Sequence, residues 1–118
     1  MRPAAVCCDP DVMSTTVFLE VQLRPDAVGA EAETAIRETL AQTAAFDGNE
    51  GLEVLVDDAD PTLVIVVEKW ATAGHHDAYV AWRATPDGAA ALGAVLAGPP
   101  VTRTFPDGVL LTRYGTRR

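Results

Sequence analysis

Two segments near the start of the chain show regular hydrophobic patterns that predict a strand and a helix. Across residues 16–23, apolar side chains at the odd positions alternate with Phe18, Glu20 and Gln22, which is the pattern of a half-buried strand. Asp26 is expected to cap the helix that follows. In that helix, apolar or small residues recur at steps of three and four and form one narrow stripe, which comprises Ala32, Ala35, Ile36, Thr39, Leu40 and Thr43.

The remaining elements follow from changes of hydrophobic period along the chain. Residues 52–58 and 63–70 predict two strands that a short turn at Pro61 joins, so they must pair antiparallel. Helical spacing begins after Thr72, a good N-cap, and residues 89–98 predict a further short apolar helix. Residues 101–115 predict a terminal strand or short hairpin. This order predicts an α+β fold of the ferredoxin-like type, with the helices on one face of an antiparallel sheet.

The third predicted strand is apolar on both of its sides. The two predicted helices can cover only one face of the sheet, and no other segment of the chain is available for the second face. The simplest cover is a second copy that packs sheet to sheet with two-fold symmetry, so we expect a homodimer. The two apolar sets are Leu63, Ile65 and Val67 on one side and Val64, Val66 and Trp70 on the other.

Length and composition narrow the classes of protein that fit. With 118 residues, 48% of them hydrophobic, we expect one globular domain over residues 15–116 and a flexible extension over residues 1–14. A net charge of −8 argues against a nucleic-acid partner, and no apolar run is long enough for a membrane span. Both cysteines, Cys7 and Cys8, lie in the extension, which leaves a cysteine-free body consistent with the cytoplasm.

Five of the six tryptophan, tyrosine and histidine residues lie within thirteen positions, from Trp70 to Trp82. Adjacent helical residues point about 100° apart, so His75 and His76 cannot hold one metal ion together, and we predict no metal site. One histidine is expected to face solvent and the other to be a candidate proton carrier. Glu68 shares a buried face with Trp70, so its carboxyl group must be protonated or paired, with Arg83 or Arg103 as the available cations.

The segment from residue 25 to residue 70 resembles the antibiotic biosynthesis monooxygenase domain. The resemblance rests on a glycine-containing loop with Gly48 and Gly51, a strand, an acidic turn ending in Pro61, and a strand that closes in Glu68-Lys69-Trp70. It continues through "AYVAWR" and "LAGPPVTRTF" to about residue 106. The resemblance implies a ferredoxin-like fold that forms a dimeric α+β barrel.

The resemblance also implies a cofactor-independent monooxygenase that oxidises a small aromatic, quinol or polyketide-type substrate with O₂. A non-catalytic small-molecule-binding dimer is the alternative, and a haem-binding or haem-degrading protein is a third. Many family members carry histidine where this chain has Tyr79, and the first strand lacks the asparagine of the haem-degrading branch. The clustering of residues suggests cavity walls from Trp70, Val66 and Trp82, a proton acceptor in His76 or Glu68, and an anion stabiliser in Tyr79 or Arg83.

Overall fold

A computed structural model describes residues 14–106 of the chain. Its four strands form one antiparallel sheet in the order β2-β3-β1-β4, and two helices pack on one face of that sheet. This is the predicted α+β ferredoxin-like fold. In chain order the elements are β1 (Thr15–Gln22), α1 (Ala30–Ala45), β2 (Asn49–Val56), β3 (Leu63–Trp70), α2 (Ala73–Arg83) and β4 (Val101–Pro106).

The strand register decides which side chains face the helices. β1 and β3 pair so that Val17 lies opposite Glu68 and Leu19 lies opposite Val66. Because side chains alternate along a strand, Glu68 points to the same inner face as Val66 and Trp70, as the sequence predicts. A single carboxyl group is thereby placed among apolar side chains beneath the helices.

The inner face of the sheet and the apolar stripe of α1 form the core. Five of the six predicted stripe residues are buried, and the sixth, Ile36, packs partly buried against the core. The predicted helix face is therefore confirmed. Fully buried strand residues complete the core, namely Val17, Val21, Val64, Val66 and Trp70.

The outer face of the sheet carries several exposed apolar side chains and has no cover among residues 14–106. Phe18 of β1 and Phe105 of β4 are both exposed there, with their ring centroids 5.4 Å apart in an edge-to-face contact. Leu55 and Val101 are also exposed. The register places Ile65 and Val67 on this face as well, together with the charged residues Glu20, Glu53, Lys69 and Arg103, so apolar and charged side chains alternate across the sheet.

Three local predictions differ from the structure. Asp26 does not cap α1, because it lies in a 3₁₀ turn (Pro25–Ala27) and the cap is Gly29, whose φ of 117° favours glycine. Residues 89–98 form a 3₁₀ turn (Ala91–Val95) rather than an α-helix, and Gly93 in the middle of that turn has a low helix propensity. β2 begins at Asn49 rather than at residue 52 and has a register irregularity before Gly51.

Several predictions lie outside the described residues. These are the extension over residues 1–13, with its two cysteines, and the strand or hairpin predicted beyond residue 106. Of the helices within residues 14–106, none combines the length and apolar character that crossing a bilayer requires.

Candidate functional site

A cavity of about 280 Å³ lies between the inner face of the sheet and α2. It brings together all four predicted catalytic residues: Glu68 from β3, and His76, Tyr79 and Arg83 from α2. The three helical residues share one face because they follow one another at steps of three and four. The other lining residues are Val17, Leu19, Thr39, Val80, Ala90, Pro100 and Thr102.

The start of α2 fixes the angle at which its side chains enter the cavity. Thr72 is the N-cap, and its hydroxyl accepts a hydrogen bond from the backbone N–H of His75 at 3.1 Å, as predicted. The His75 imidazole turns back from the cavity, with Nδ1 2.8 Å from the Thr72 hydroxyl and its ring packed on Gly48. His76, one position later, is therefore the histidine that faces the cavity.

Glu68 is a carboxyl group without a cation. Its side chain is 3% exposed, and Oε1 accepts a hydrogen bond from Trp70 Nε1 at 2.9 Å. Burial raises the pKa of Glu68, while the Trp70 hydrogen bond and the charge of Arg83 offset part of that rise. The expected ion pair of Glu68 with Arg83 or Arg103 is not present. Among the described residues, none forms a salt bridge with Glu68. The second carboxyl oxygen is left for a ligand in the cavity.

His76 is a buried imidazole whose surroundings favour the neutral form. It is 7% exposed, and its ring lies 5.5 Å from that of Trp70 and 6.3 Å from that of Tyr79. Burial lowers the pKa of His76, and the neighbouring carboxylate of Asp77 opposes this only in part. No described residue hydrogen-bonds to either ring nitrogen. A neutral imidazole with a free nitrogen is a suitable proton acceptor.

Arg83 is held by hydrogen bonds from all five of its N–H groups. Nε donates to the Tyr79 hydroxyl at 2.8 Å, and one terminal nitrogen donates to Gln42 Oε1 and to the carbonyl of Gly88. The other terminal nitrogen donates to the Thr39 carbonyl at 2.9 Å and to the Thr43 hydroxyl at 3.1 Å. Since a guanidinium has only five donors, none is left for a ligand. Arg83 therefore joins α1 to α2 and positions Tyr79.

The Tyr79 hydroxyl is also engaged within the protein. It lies 2.7 Å from the Thr43 hydroxyl, which donates its own hydrogen to the Thr39 carbonyl at 3.1 Å. Because Thr43 has one hydrogen, Tyr79 must act as the donor between the two hydroxyl groups. Tyr79 thus presents its ring, rather than a free O–H, to the cavity.

The three predicted wall residues do not line the cavity. Trp70 is completely buried behind Glu68, and Val66 belongs to the core. Trp82 lies on another side of α2, where its ring is 5.5 Å from that of Phe46 and 4.8 Å from the Arg83 guanidinium. The aliphatic residues of β1 and α2 form much of the wall instead.

Sequence reasoning missed the anchors on α1. Thr39 and Thr43 are buried and hold Arg83 and Tyr79, which are 36 to 44 residues away in sequence. Two threonines on an otherwise apolar helix stripe were the available signal, because a buried hydroxyl needs a partner. Within residues 14–106, no three histidine, cysteine, aspartate or glutamate side chains cluster in a way that could hold a metal ion.

The comparison with family models identifies one family. The family model for antibiotic biosynthesis monooxygenase matches residues 14–94, more than half of the chain. None of the curated proteins matches the chain significantly. Similar solved structures include a conserved protein from Methanosarcina mazei Go1, at a TM-score of 0.66 and 15% identity, over 82% of this chain and 95% of that one.

Two further structures show the same fold. An antibiotic biosynthesis monooxygenase matches at a TM-score of 0.64 and 17% identity, over 77% of this chain and 95% of its own. A provisionally named antibiotic biosynthesis monooxygenase from Caulobacter crescentus matches at 0.66 and 19% identity, over 81% and 91% of the two chains. The match to the family model, together with this shared fold, identifies the chain as a member of the antibiotic biosynthesis monooxygenase family.

Proposed function

We propose that this protein is a cofactor-independent monooxygenase that oxidises a small phenol or hydroquinone with O₂. The observation that supports the proposal is that His76 and Glu68 line the same cavity. A ring nitrogen of His76 and one carboxyl oxygen of Glu68 have no hydrogen-bond partner among the described residues, so each can exchange a proton with a ligand. The cavity of about 280 Å³ is near the lower end of ligand-binding pockets, which suits a substrate of one or two rings. A non-catalytic binding role is the alternative.

In the proposed reaction, neutral His76 accepts the proton of the substrate hydroxyl and leaves an electron-rich phenolate. O₂ then forms a bond to a ring carbon, and the two electrons of that bond come from the phenolate. The O–O bond of the peroxide then breaks, one oxygen stays on the ring as a carbonyl, and the other leaves as water after it takes a proton from Glu68. The ring proton passes to the Glu68 carboxylate, which restores the acid. The apolar walls keep bulk water from the reactive intermediates.

Glu68 has the complementary role of proton donor. Its raised pKa keeps the carboxyl group protonated at higher pH than an exposed glutamate, and Trp70 fixes its orientation. It can therefore donate to the oxygen that leaves as water, while protonated His76 returns the first proton. Tyr79 and Arg83 position the cavity in this scheme, because their polar hydrogens are already engaged.

The experiment is O₂ uptake with a panel of hydroquinones, phenols and anthrones. His76→Ala is expected to lower the rate by about 10²- to 10⁴-fold, the usual effect of a general base. His75→Ala is the matched control and should retain the rate, because its ring lies outside the cavity. Equal rates in the two variants would contradict the role of His76. Binding of the same compounds without O₂ uptake would favour the non-catalytic alternative.

We further propose that the protein is a homodimer whose sheets pack face to face. The support is the apolar outer face around Phe18 and Phe105, which no described element covers. Phe18→Glu is expected to shift the sedimentation coefficient from dimer to monomer, whereas Ala94→Glu, at an exposed position away from this face, should not. Well-folded monomers of the unaltered protein at micromolar concentration would rule the proposal out.

A further inference from the structure

One buried hydroxyl group in the wall of the cavity has a hydrogen that nothing in the described protein accepts. Thr39 of α1 lines the cavity and is 4% exposed. Its hydroxyl oxygen accepts a hydrogen bond from the backbone N–H of Leu92 at 3.0 Å. Within residues 14–106, no atom accepts a hydrogen bond from this hydroxyl in return. A threonine hydroxyl has one hydrogen to donate, so this donor stays available.

Two other threonines near the cavity are satisfied. Thr43, one turn later on α1, donates its hydrogen to the Thr39 carbonyl and is bonded to Tyr79 and Arg83 as well. It is completely buried and does not line the cavity. Thr102 does line the cavity, but it is exposed, so water can satisfy its hydroxyl. Thr39 therefore differs from both: it is buried, it belongs to the wall, and its hydrogen is unused.

The surroundings of Thr39 leave the cavity as the place for the missing acceptor. A threonine inside a helix commonly donates to the carbonyl four residues earlier, as Thr43 does, but Thr39 makes no such bond to Ala35. Leu92 is not a lining residue, so its N–H approaches the Thr39 hydroxyl from outside the cavity. Because buried donors in proteins nearly always have a partner, the acceptor is expected among the contents of the cavity.

We propose that Thr39 is a substrate-binding residue whose hydroxyl donates a hydrogen bond to a carbonyl oxygen of the substrate. The position of the substrate hydroxyl, next to His76, rests on the proposed function. Thr39 adds a polar contact from α1 to those that His76 of α2 and Glu68 of β3 provide. A phenol without a carbonyl group leaves the Thr39 donor unpaired, so the cavity favours phenols that carry one.

A carbonyl oxygen suits this position better than a carboxylate does. A buried carboxylate needs several donors to offset the loss of its hydration, and Thr39 offers a single hydrogen. The five N–H groups of Arg83 are all bonded within the protein and cannot supply the others. One donor matches one neutral acceptor.

Two phenols of nearly the same shape test the proposal. In para-hydroxyacetophenone, a ketone oxygen takes the place of two hydrogens of para-ethylphenol. Their dissociation constants are measured by titration calorimetry without O₂, so that no oxidation interferes. The quantity of interest is the ratio of the two constants on one protein. A variant that merely loosens the fold weakens both compounds alike, and the different acidities of the two phenols enter every ratio equally.

Thr39→Val removes the hydroxyl and keeps the branched shape of the side chain. It is expected to lower the preference for para-hydroxyacetophenone by about 3- to 10-fold, which corresponds to one neutral hydrogen bond. Thr39→Ser keeps the hydroxyl and should keep the preference. The matched control is Thr43→Val, which removes a buried hydroxyl of the same helix outside the cavity and should leave the ratio unchanged.

The carbonyl stretch of bound para-hydroxyacetophenone is a second readout. A hydrogen bond lowers this infrared frequency, so the band of the saturated protein should lie higher in Thr39→Val than in the unaltered protein or in Thr39→Ser. A role of Thr39 that does not involve the ligand would leave the band in place. If Thr39→Val does not fold, Thr39→Cys takes its place, because a thiol is only a weak donor.

The outcomes separate this proposal from the proposed oxidation. An equal preference in the unaltered protein and in Thr39→Val, or a carbonyl band at one frequency in both, overturns the role of Thr39. Failure of both phenols to bind overturns it as well. In each of these cases, O₂ uptake that depends on His76 leaves the oxidation intact. Binding that depends on Thr39 without any O₂ uptake supports the contact and contradicts the oxidation.

Discussion

Replacing Arg83 tests whether this residue holds the two helices together. Arg83→Met keeps an unbranched side chain and removes all five hydrogen bonds. Gln42 is exposed and can bond to water instead, so its loss costs little. The bonds to Tyr79, to Thr43 and to the Thr39 carbonyl are partly buried and dominate the effect.

The magnitude follows from those buried bonds. At about 1 kcal/mol for each of two or three buried hydrogen bonds, Arg83→Met should lower the free energy of unfolding by about 2–3 kcal/mol. Arg83→Lys should cost about half of that, because an ammonium group has three donors and lacks the planar fork. The control is Arg37→Met, which removes only the exposed pair with Glu33 and should cost about 0.5 kcal/mol or less.

Urea unfolding measures all three variants at one protein concentration. Tryptophan fluorescence is a suitable signal, because Trp70 is buried and Trp82 lies against the Arg83 guanidinium. The slope of the free energy against urea should stay the same if only stability changes. If Arg83→Met is no more destabilising than Arg37→Met, the five-donor network does not stabilise the fold and the reasoning fails.

Three further predictions concern the site and its supports. Burial raises the pKa of Glu68, so the unfolded chain loses the Glu68 proton at a lower pH than the folded chain does. The free energy of unfolding of the wild type therefore falls as pH rises above the ordinary glutamate pKa. Glu68→Gln should therefore gain stability relative to wild type as pH rises above the ordinary glutamate pKa in urea titrations, and a stability difference that does not change with pH would contradict a buried neutral Glu68. Gly88→Ala should lower the free energy of unfolding by about 2 kcal/mol or more, because the added Cβ collides with the Trp82 carbonyl, whereas Gly93→Ala, with open space, should not. Thr72→Ala should cost about 1 kcal/mol through the lost N-cap, and an unchanged thermal midpoint would refute it.

The fold was predictable because its signals are local. Alternation in β1 and the three- and four-residue steps of α1 each report one face of one element, and the buried sets agree with both. The same reasoning placed Glu68 on the inner face and brought His76, Tyr79 and Arg83 onto one side of α2.

The cavity walls were less predictable because they depend on contacts between distant elements. Trp82 precedes Arg83 by one position, so it points about 100° away and packs on Phe46 instead. The hydroxyl of Tyr79 was expected to be available, but its partners Thr43 and Arg83 come from two different helices. No spacing in the sequence reveals a bond between residues 36 positions apart.

β3 illustrates how few residues decide the alignment of a strand. From Leu63 to Val67 every side chain is aliphatic. A shift of the register against β1 by one residue would therefore replace one apolar face of this segment by another at little cost in free energy. The next residues differ: a slip would drive Lys69 into the interior and push Glu68 and Trp70 into solvent. Lys69 and Trp70 therefore fix the alignment of this strand, and they hold Glu68 on the inner face although a carboxyl group by itself favours solvent.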